Sequence, residues 1–227
     1  MTDNPKQLTF DLGMEPRFGR EDFLVSPSNE LAYNLLEAWP EWPDNVLLLF
    51  GPEGSGKSHL AAIWAEQAHA WTIDAFALTK DRVPHLASNG ALLIEDADQA
   101  LIDEAAFFHL LNLTREKGSY VVITAAKPLG EWGLNTPDLV SRLRLAPSVS
   151  MEAADNALLG AVLVKLFMDR QLIVDTSIIE YIVVRLARSL SRAEKLVSLL
   201  DKEALSRRRR ITKTMVSDIL GREENDV

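Results

Sequence analysis

Eight consecutive residues, Gly51-Pro52-Glu53-Gly54-Ser55-Gly56-Lys57-Ser58, set glycines, a lysine and a serine at the spacing G-x-x-x-x-G-K-S. That combination suits a polyphosphate. Glycines at 51, 54 and 56 let the chain curl until several backbone N–H groups converge on one anion. The Lys57 ammonium adds a point charge for β- and γ-phosphates, and the Ser58 hydroxyl is placed to ligate Mg²⁺. The expected ligand is ADP or ATP with Mg²⁺, held by Gly51 through Ser58 and by His59 directly after. The spacing is informative only where it follows a strand and opens a helix.

Both conditions are met. Val46–Phe50 is a continuous apolar run ending at Gly51, the pattern of a strand buried on both faces of a parallel sheet. Leu60, Ala61, Ile63, Trp64 and Ala68 follow as the inner side of a helix. Short apolar runs recur at Trp71–Ile73, Ala91–Ile94, Tyr120–Thr124 and Ser148–Met151 between helical stretches. Strands alternating with helices predict βαβ units and a parallel sheet of right-handed crossovers. Before this region, an amphipathic helix is expected from Phe23 to about Trp42, with Asn29 able to start it and Leu31, Leu35 and Leu36 on its stripe.

Magnesium also needs a carboxylate at a neighbouring strand end. Glu95-Asp96, directly after Ala91–Ile94, is the candidate pair. Two adjacent acids there are costly unless a cation or water meets their charge, although the pair also reads as the start of a solvated loop before Asp98. Thr124, closing the fourth apolar run, is placed to report on a γ-phosphate or orient a water, while threonine is common in strands for packing alone.

After about residue 152 the strand pattern stops. Leu158, Leu159, Val162, Leu163 and Leu166 recur at helical spacing, as do Ile178, Ile179, Ile182, Val183 and Leu186 behind a capping box of Ser177 and Glu180. Leu196, Val197, Leu200 and Ala204 mark a third helix, and Met215, Val216, Ile219 and Leu220 a fourth capped by Thr212. The expected organisation is a flexible tail over 1–20, an α/β nucleotide-binding domain over 21–151 and an all-helical domain over 152–227.

Composition excludes several classes. The chain has no cysteine, so disulfides and thiolate metal sites are ruled out. His59, His69, His85 and His109 lack metal-ligand spacing and read singly as surface or packing residues. No apolar run reaches the roughly 18 residues of a membrane span, and the first thirty residues are too polar for a signal peptide, so a soluble cytoplasmic protein is expected. A net charge of −9 speaks against wrapping nucleic acid as the main task. The local exception is Arg207-Arg208-Arg209-Arg210 between Lys202 and Lys213, which reads first as a solvated helix end and second as a DNA or partner contact.

Taken together, these residues resemble the AAA+ ATPases, and among them the family of the bacterial replication initiator DnaA and its shorter regulatory homologue Hda. The resemblance begins at Phe23-Leu-Val-Ser-Pro-Ser-Asn29-Glu-Leu-Ala32 and runs through the glycine loop, Glu95-Asp96, and Val121-Val-Ile-Thr124 with Lys127-Pro128. It implies a P-loop AAA+ domain with a parallel five-stranded sheet flanked by helices, followed by a small all-helical lid. Pro137-Asp138-Leu139-Val140-Ser141-Arg142-Leu143 is similar to the segment whose arginine reaches a neighbouring subunit's ATP. Leu190-Ser191-Arg192-Ala193 lies where the lid carries its sensor-two arginine. Read alone, Arg142 fits a surface residue near a helix end, and Arg192 a partner for Glu194 on a solvated face. The resemblance assigns Arg192 to nucleotide held by this chain and Arg142 to nucleotide held by another.

Two departures bear on chemistry. The family has aspartate where this chain has Glu95, and the acid often found after the sensor-one residue is replaced by Ala125 and Ala126. Nucleotide binding is expected to survive these changes and rapid intrinsic hydrolysis is not. The chain closes at Val227 soon after the fourth helix, so a DNA-reading helix-turn-helix domain is not expected. Near the start, Gln7-Leu8-Thr9-Phe10-Asp11-Leu12 is similar to the peptides that dock in the pocket of the DNA polymerase III sliding clamp (the β subunit). Leu8, Phe10 and Leu12 would be the apolar anchors and Gln7 the polar contact.

The resemblance implies an Hda-like negative regulator of replication initiation, partnered by DnaA and the clamp and possible as a homodimer. The alternative is a self-assembling AAA+ ATPase that remodels a protein or loads a helicase. A degenerate adaptor linking clamp and partner is a third reading. Replacing Gln7, Leu8, Phe10 and Leu12 together by alanine is expected to abolish capture of the clamp in a pull-down and to leave the melting temperature unchanged. Undiminished capture would refute the docking assignment.

Overall fold

The computed structural model describes residues 19–99, 102–207 and 209–225. The chain divides into two compact units after Ala153. Five strands make up the sheet of the first: β1 (Val46–Phe50), β2 (Trp71–Asp74), β3 (Ala91–Glu95), β4 (Tyr120–Ala125) and β5 (Ser148–Ser150). All pairings are parallel, in the order β2-β3-β4-β1-β5.

That order fixes where the helices lie. The chain steps from β1 across the sheet to β2, then returns in the opposite direction through β3, β4 and β5. With right-handed crossovers, a reversal of direction moves the connecting helices to the other face. Accordingly α1 (Glu30–Glu37) and α2 (Lys57–Gln67) cover one face, where Leu36, Leu60, Ala61 and Trp64 pack on Leu47, Leu49, Leu93 and Val122. The returning helices α3 (Val83–Leu86), α4 (Glu104–Lys117) and α5 (Pro137–Leu145) cover the other. There Phe107, Leu110, Leu139 and Leu143 pack on Val46, Leu48, Val121 and Ile123. Alternate residues of the same strands therefore serve two separate layers, the burial expected of a parallel sheet.

The expectations for the first helix need correction. The first helix covers only Glu30–Glu37 rather than 23–42, and residues 23–29 run as extended chain and turn. Asn29 is the reason: its side chain accepts from the Ser26 N–H (2.8 Å) and donates to the Leu24 carbonyl (3.0 Å), holding the preceding chain out of a helix. Pro40, without an N–H, prevents extension beyond Trp39. Leu31, assigned to the apolar stripe, is 75% exposed.

The second unit holds α6 (Asn156–Asp169), α7 (Thr176–Arg185), α8 (Leu190–Arg207) and α9 (Lys213–Asn225). They share one core, with Leu159, Leu163, Ile182, Leu196, Leu200 and Val216 at its centre. Asp155 caps α6 through the Leu158 N–H (2.7 Å), and Thr212 caps α9 through the Met215 N–H (3.3 Å). The expected capping box at α7 is not what forms. Asp175 caps that helix by accepting the Ser177 N–H at 2.8 Å, so the start lies two residues earlier. No described helix is long and apolar enough to cross a membrane.

One contact fixes the junction between the sheet and the loop after β1. A Cβ on Gly51 would stand 2.3 Å from the Met151 carbonyl oxygen, and Gly51 has φ of +154°. Met151 in turn donates its N–H to the Phe50 carbonyl (2.8 Å). Gly51→Ala is expected to push β5 off β1 and to cost about 3 kcal/mol in urea unfolding, the sum of overpacking and backbone strain. An unchanged unfolding midpoint would contradict this close approach.

Candidate phosphate-binding site

Residues 51–56 turn between the end of β1 and the first residue of α2. Gly54 (φ +74°) and Gly56 (φ +97°) take left-handed conformations that reverse the chain within this short span. The first amides of α2 have no intrahelical acceptors and face the loop, so the positive end of the helix and the loop N–H groups act on the same small volume. Pro52 takes part by accepting the Ser55 N–H at 3.2 Å, tightening the curl.

Lys57 is 8% exposed. Its Nζ donates to the Gly51 carbonyl at 2.7 Å and the Pro52 carbonyl at 3.0 Å. Burial pulls the ammonium below its ordinary value, while Asp96, Asp98 and Glu53 hold it up. The Ser55 hydroxyl, in a residue only 2% exposed, has no hydrogen-bond partner among the described residues. Such an orphan is costly in a folded protein and marks a place where a ligand oxygen would restore the missing bond.

Across the loop stand the ends of β3 and β4. Glu95 is half-buried, and desolvation pushes its carboxyl above the usual carboxylate range; Asp96 and Asp74 add to the rise, and a hydrogen bond from the Ser58 hydroxyl opposes it. Asp96 has φ of +56° and donates its N–H to Thr124 Oγ1 at 3.2 Å. Its carboxyl is likewise raised, first by burial and then by Asp98. Thr124 is 1% exposed, and its carbonyl accepts the Ala97 N–H at 2.9 Å. The threonine thus uses both its hydroxyl and its carbonyl to hold the left-handed bend that aims Asp96.

Asp98 was not among the expected site residues. Its two carboxylate oxygens accept the Ala126 (3.0 Å) and Lys127 (3.1 Å) N–H groups, tying the loops after β3 and β4 together. The third acid of Glu95-Asp96-Ala97-Asp98 was visible in sequence, but its partners lie 28 and 29 residues away. Ala125 and Ala126 provide no acid at the end of β4.

His59 faces a different neighbour. Its Nε2 lies 3.3 Å from the Gly19 carbonyl, and its ring meets Phe23 edge-on at 5.4 Å. It joins the chain before α1 to the first turn of α2.

The structure brings together the glycine loop, Lys57, Ser58, Glu95, Asp96 and Thr124. It does not bring Arg142 to them. That residue lies on α5, on the face opposite α2, with its guanidinium 5.4 Å from the centre of the Phe108 ring of α4. The α4–α5 pair is fastened by Glu104, whose carboxylate accepts the Asn135 and Thr136 N–H groups at 2.9 and 2.6 Å. Arg192 is in the first turn of α8, where its N–H donates to Ser189 Oγ at 3.3 Å. Gln7, Leu8, Phe10 and Leu12 lie outside the described residues.

These residues fit a nucleotide with its metal. Loop amides, Lys57 and the orphan Ser55 hydroxyl suit the phosphates, while Ser58 and Glu95 supply hard oxygen donors of the kind Mg²⁺ takes.

No protein-family model matches the chain. It is 30% identical over 164 residues to chromosomal replication initiator protein DnaA 2 of Chlamydia caviae, covering 60% of this chain and 35% of that protein. It is 31% identical over 153 residues to an insertion-sequence protein of Sinorhizobium fredii named for ATP binding, covering 58% and 48%. The chain therefore spans about a third to a half of the length of these relatives. Among solved structures, domain III of Thermotoga maritima DnaA superposes with a TM-score of 0.79 at 18% identity, over 92% of this chain and 97% of that one. AMPPCP-bound DnaA from Aquifex aeolicus superposes with a TM-score of 0.70 at 20% identity, over 83% and 66%.

The raised carboxyls give a sign for the pH dependence. A carboxyl whose folded value exceeds its unfolded one favours folding only while protonated, and that contribution is lost as pH rises through the folded value. Glu95→Gln is therefore expected to raise the melting temperature of nucleotide-free protein at neutral pH, with the gain vanishing below the ordinary carboxylate range. A variant that melts lower than wild type at neutral pH would contradict the assigned strain.

Proposed function

We propose that this chain, a relative of the DnaA proteins with the AAA+ fold, holds ADP or ATP at residues 51–58 and uses Arg142 on nucleotide bound to another molecule. One observation carries the second half of this reading. Arg142 stands on the sheet face opposite the helix that opens from the glycine loop, parked over Phe108, and so is badly placed to serve its own chain's phosphates.

In the proposed complex, the loop amides and Lys57 hold the β- and γ-phosphates, and Lys57 exchanges its two carbonyl partners for phosphate oxygens. Ser55 completes its hydrogen bonding on the same anion. Ser58 and Glu95 would hold Mg²⁺, which neutralises phosphate charge when bound. Thr124 keeps Asp96 aimed into the site. With glutamate in place of aspartate at 95 and alanines at 125 and 126, the arrangement favours binding over turnover. The nucleotide then acts as a structural ligand, stabilising the folded form by mass action, and Arg192 from the helical unit is its proposed fourth-side contact.

The partner that best fits is ATP-bound DnaA. Residues 7–12 would tether the chain to the sliding clamp, and Arg142 would be inserted against DnaA's ATP, where an arginine supplied in trans stabilises the charge that develops during phosphoryl transfer. The outcome is an initiator left with ADP, a negative regulation of replication initiation of the Hda kind. A self-assembling ATPase is the competing reading.

The test measures hydrolysis of DnaA-bound ATP in the presence of DNA-loaded clamp. Arg142→Ala is expected to lower the stimulation by roughly 10³-fold or more while leaving ADP binding to this chain intact. Equal stimulation by both proteins would end the trans-acting assignment. Turnover by the purified chain alone, rising with its own concentration and falling in Arg142→Ala, would establish self-assembly instead. Calorimetry with no heat from either nucleotide in the presence of magnesium would remove the premise altogether.

A further inference from the structure

Away from the glycine loop, the face that carries α5 contains a partly open cavity of about 290 Å³. Leu48 and Phe50 of β1 form its floor. Leu129 and Trp132, from the 3-10 turn Leu129–Glu131 and the residue after it, form one wall. Leu143 at the end of α5 and Ala146 after it form the other. Trp132 is fixed there by an indole N–H bond to the Lys127 carbonyl at 2.8 Å.

The charge in this cavity is unbalanced. Arg144 is the sole charged residue along the described lining, and no carboxylate accompanies it. Unlike Arg142 two residues earlier, which rests on Phe108, Arg144 has no ion pair, hydrogen bond or ring contact among the described residues. A fork of N–H donors at the rim of an apolar cavity is matched by a planar monoanion with an apolar body. A phosphate ester would call for more than one cation.

We propose that this cavity binds an amphipathic monocarboxylate, with its chain over Leu48 and Phe50 and its carboxylate on the Arg144 guanidinium. Phe50 immediately precedes Gly51, so a bound chain would lie against the strand that leads into the glycine loop. The site is separate from the nucleotide reading and stands or falls without it.

The experiment titrates the full chain calorimetrically with decanoate and, separately, with decanol, both below their aggregation concentrations. Decanoate is expected to bind about tenfold or more tightly than decanol. Arg144→Gln should bring decanoate down to the decanol level and leave decanol unchanged. Gly130→Leu adds bulk to the turn that lines the cavity, at a position where a Cβ meets nothing within 4 Å, and should remove both. Melting curves like those of wild type establish that both variants are folded. The proposal is overturned if decanoate gives no heat, if it binds no better than decanol, if Arg144→Gln leaves it untouched, or if Gly130→Leu still binds it. The last outcome would place the ligand on exposed apolar surface.

Discussion

A buried ammonium among acids governs the first unit. Lys57 is drawn out of water where three carboxylates, Asp96, Asp98 and Glu53, act on it, and its protons are satisfied by two carbonyls of its own loop. Burial disfavours Lys57 as a cation and Glu95 and Asp96 as anions. Lys57 and Asp96 offset one another, whereas Glu95 and Asp96 repel. The cluster is costly in the free protein and is relieved by a polyanion and a cation arriving together, the pattern of a site built for binding rather than for stability.

That cluster depends on bends the chain would not otherwise adopt. Asp96 sits in a left-handed conformation usually left to glycine, and it stays there because Thr124 takes its N–H and Asp98 clamps the neighbouring loop. On the other side, Gly51 lies so near the Met151 carbonyl that any side chain would part β1 from β5. The phosphate loop is therefore bounded by the carboxyl ends of several strands, through backbone and side-chain groups together. Ligands in open parallel sheets gather there for the same reason.

The sheet's handedness separates two helices. Because the first crossover runs against the later ones, the helix that opens from the glycine loop and the helix that bears Arg142 are on opposite faces. One face carries the helix that opens from the glycine loop, and the other carries Arg142 over the Phe108 ring. Phe108 and Glu104 hold α4 and α5 in the arrangement that keeps Arg142 at its station.

The residues by themselves determined the chemistry of the loop, the run of every strand and the succession of helices after residue 152. Those features rest on local spacing: glycines three and two apart, apolar runs of strand length, and a helical period that repeats within one segment. Helix starts were partly legible: Asn29 starts α1 as expected, but its bonds back to residues 24 and 26 and the capping of α7 by Asp175 in place of Ser177 were not readable from composition. Tertiary structure alone decided the strand order, the faces taken by α2 and α5, the bond from Thr124 to Asp96, the close approach of Gly51 and Met151, and the unpaired Arg144 beside its cavity. Each joins groups far apart along the chain, and only the closed sheet brings them within bonding distance.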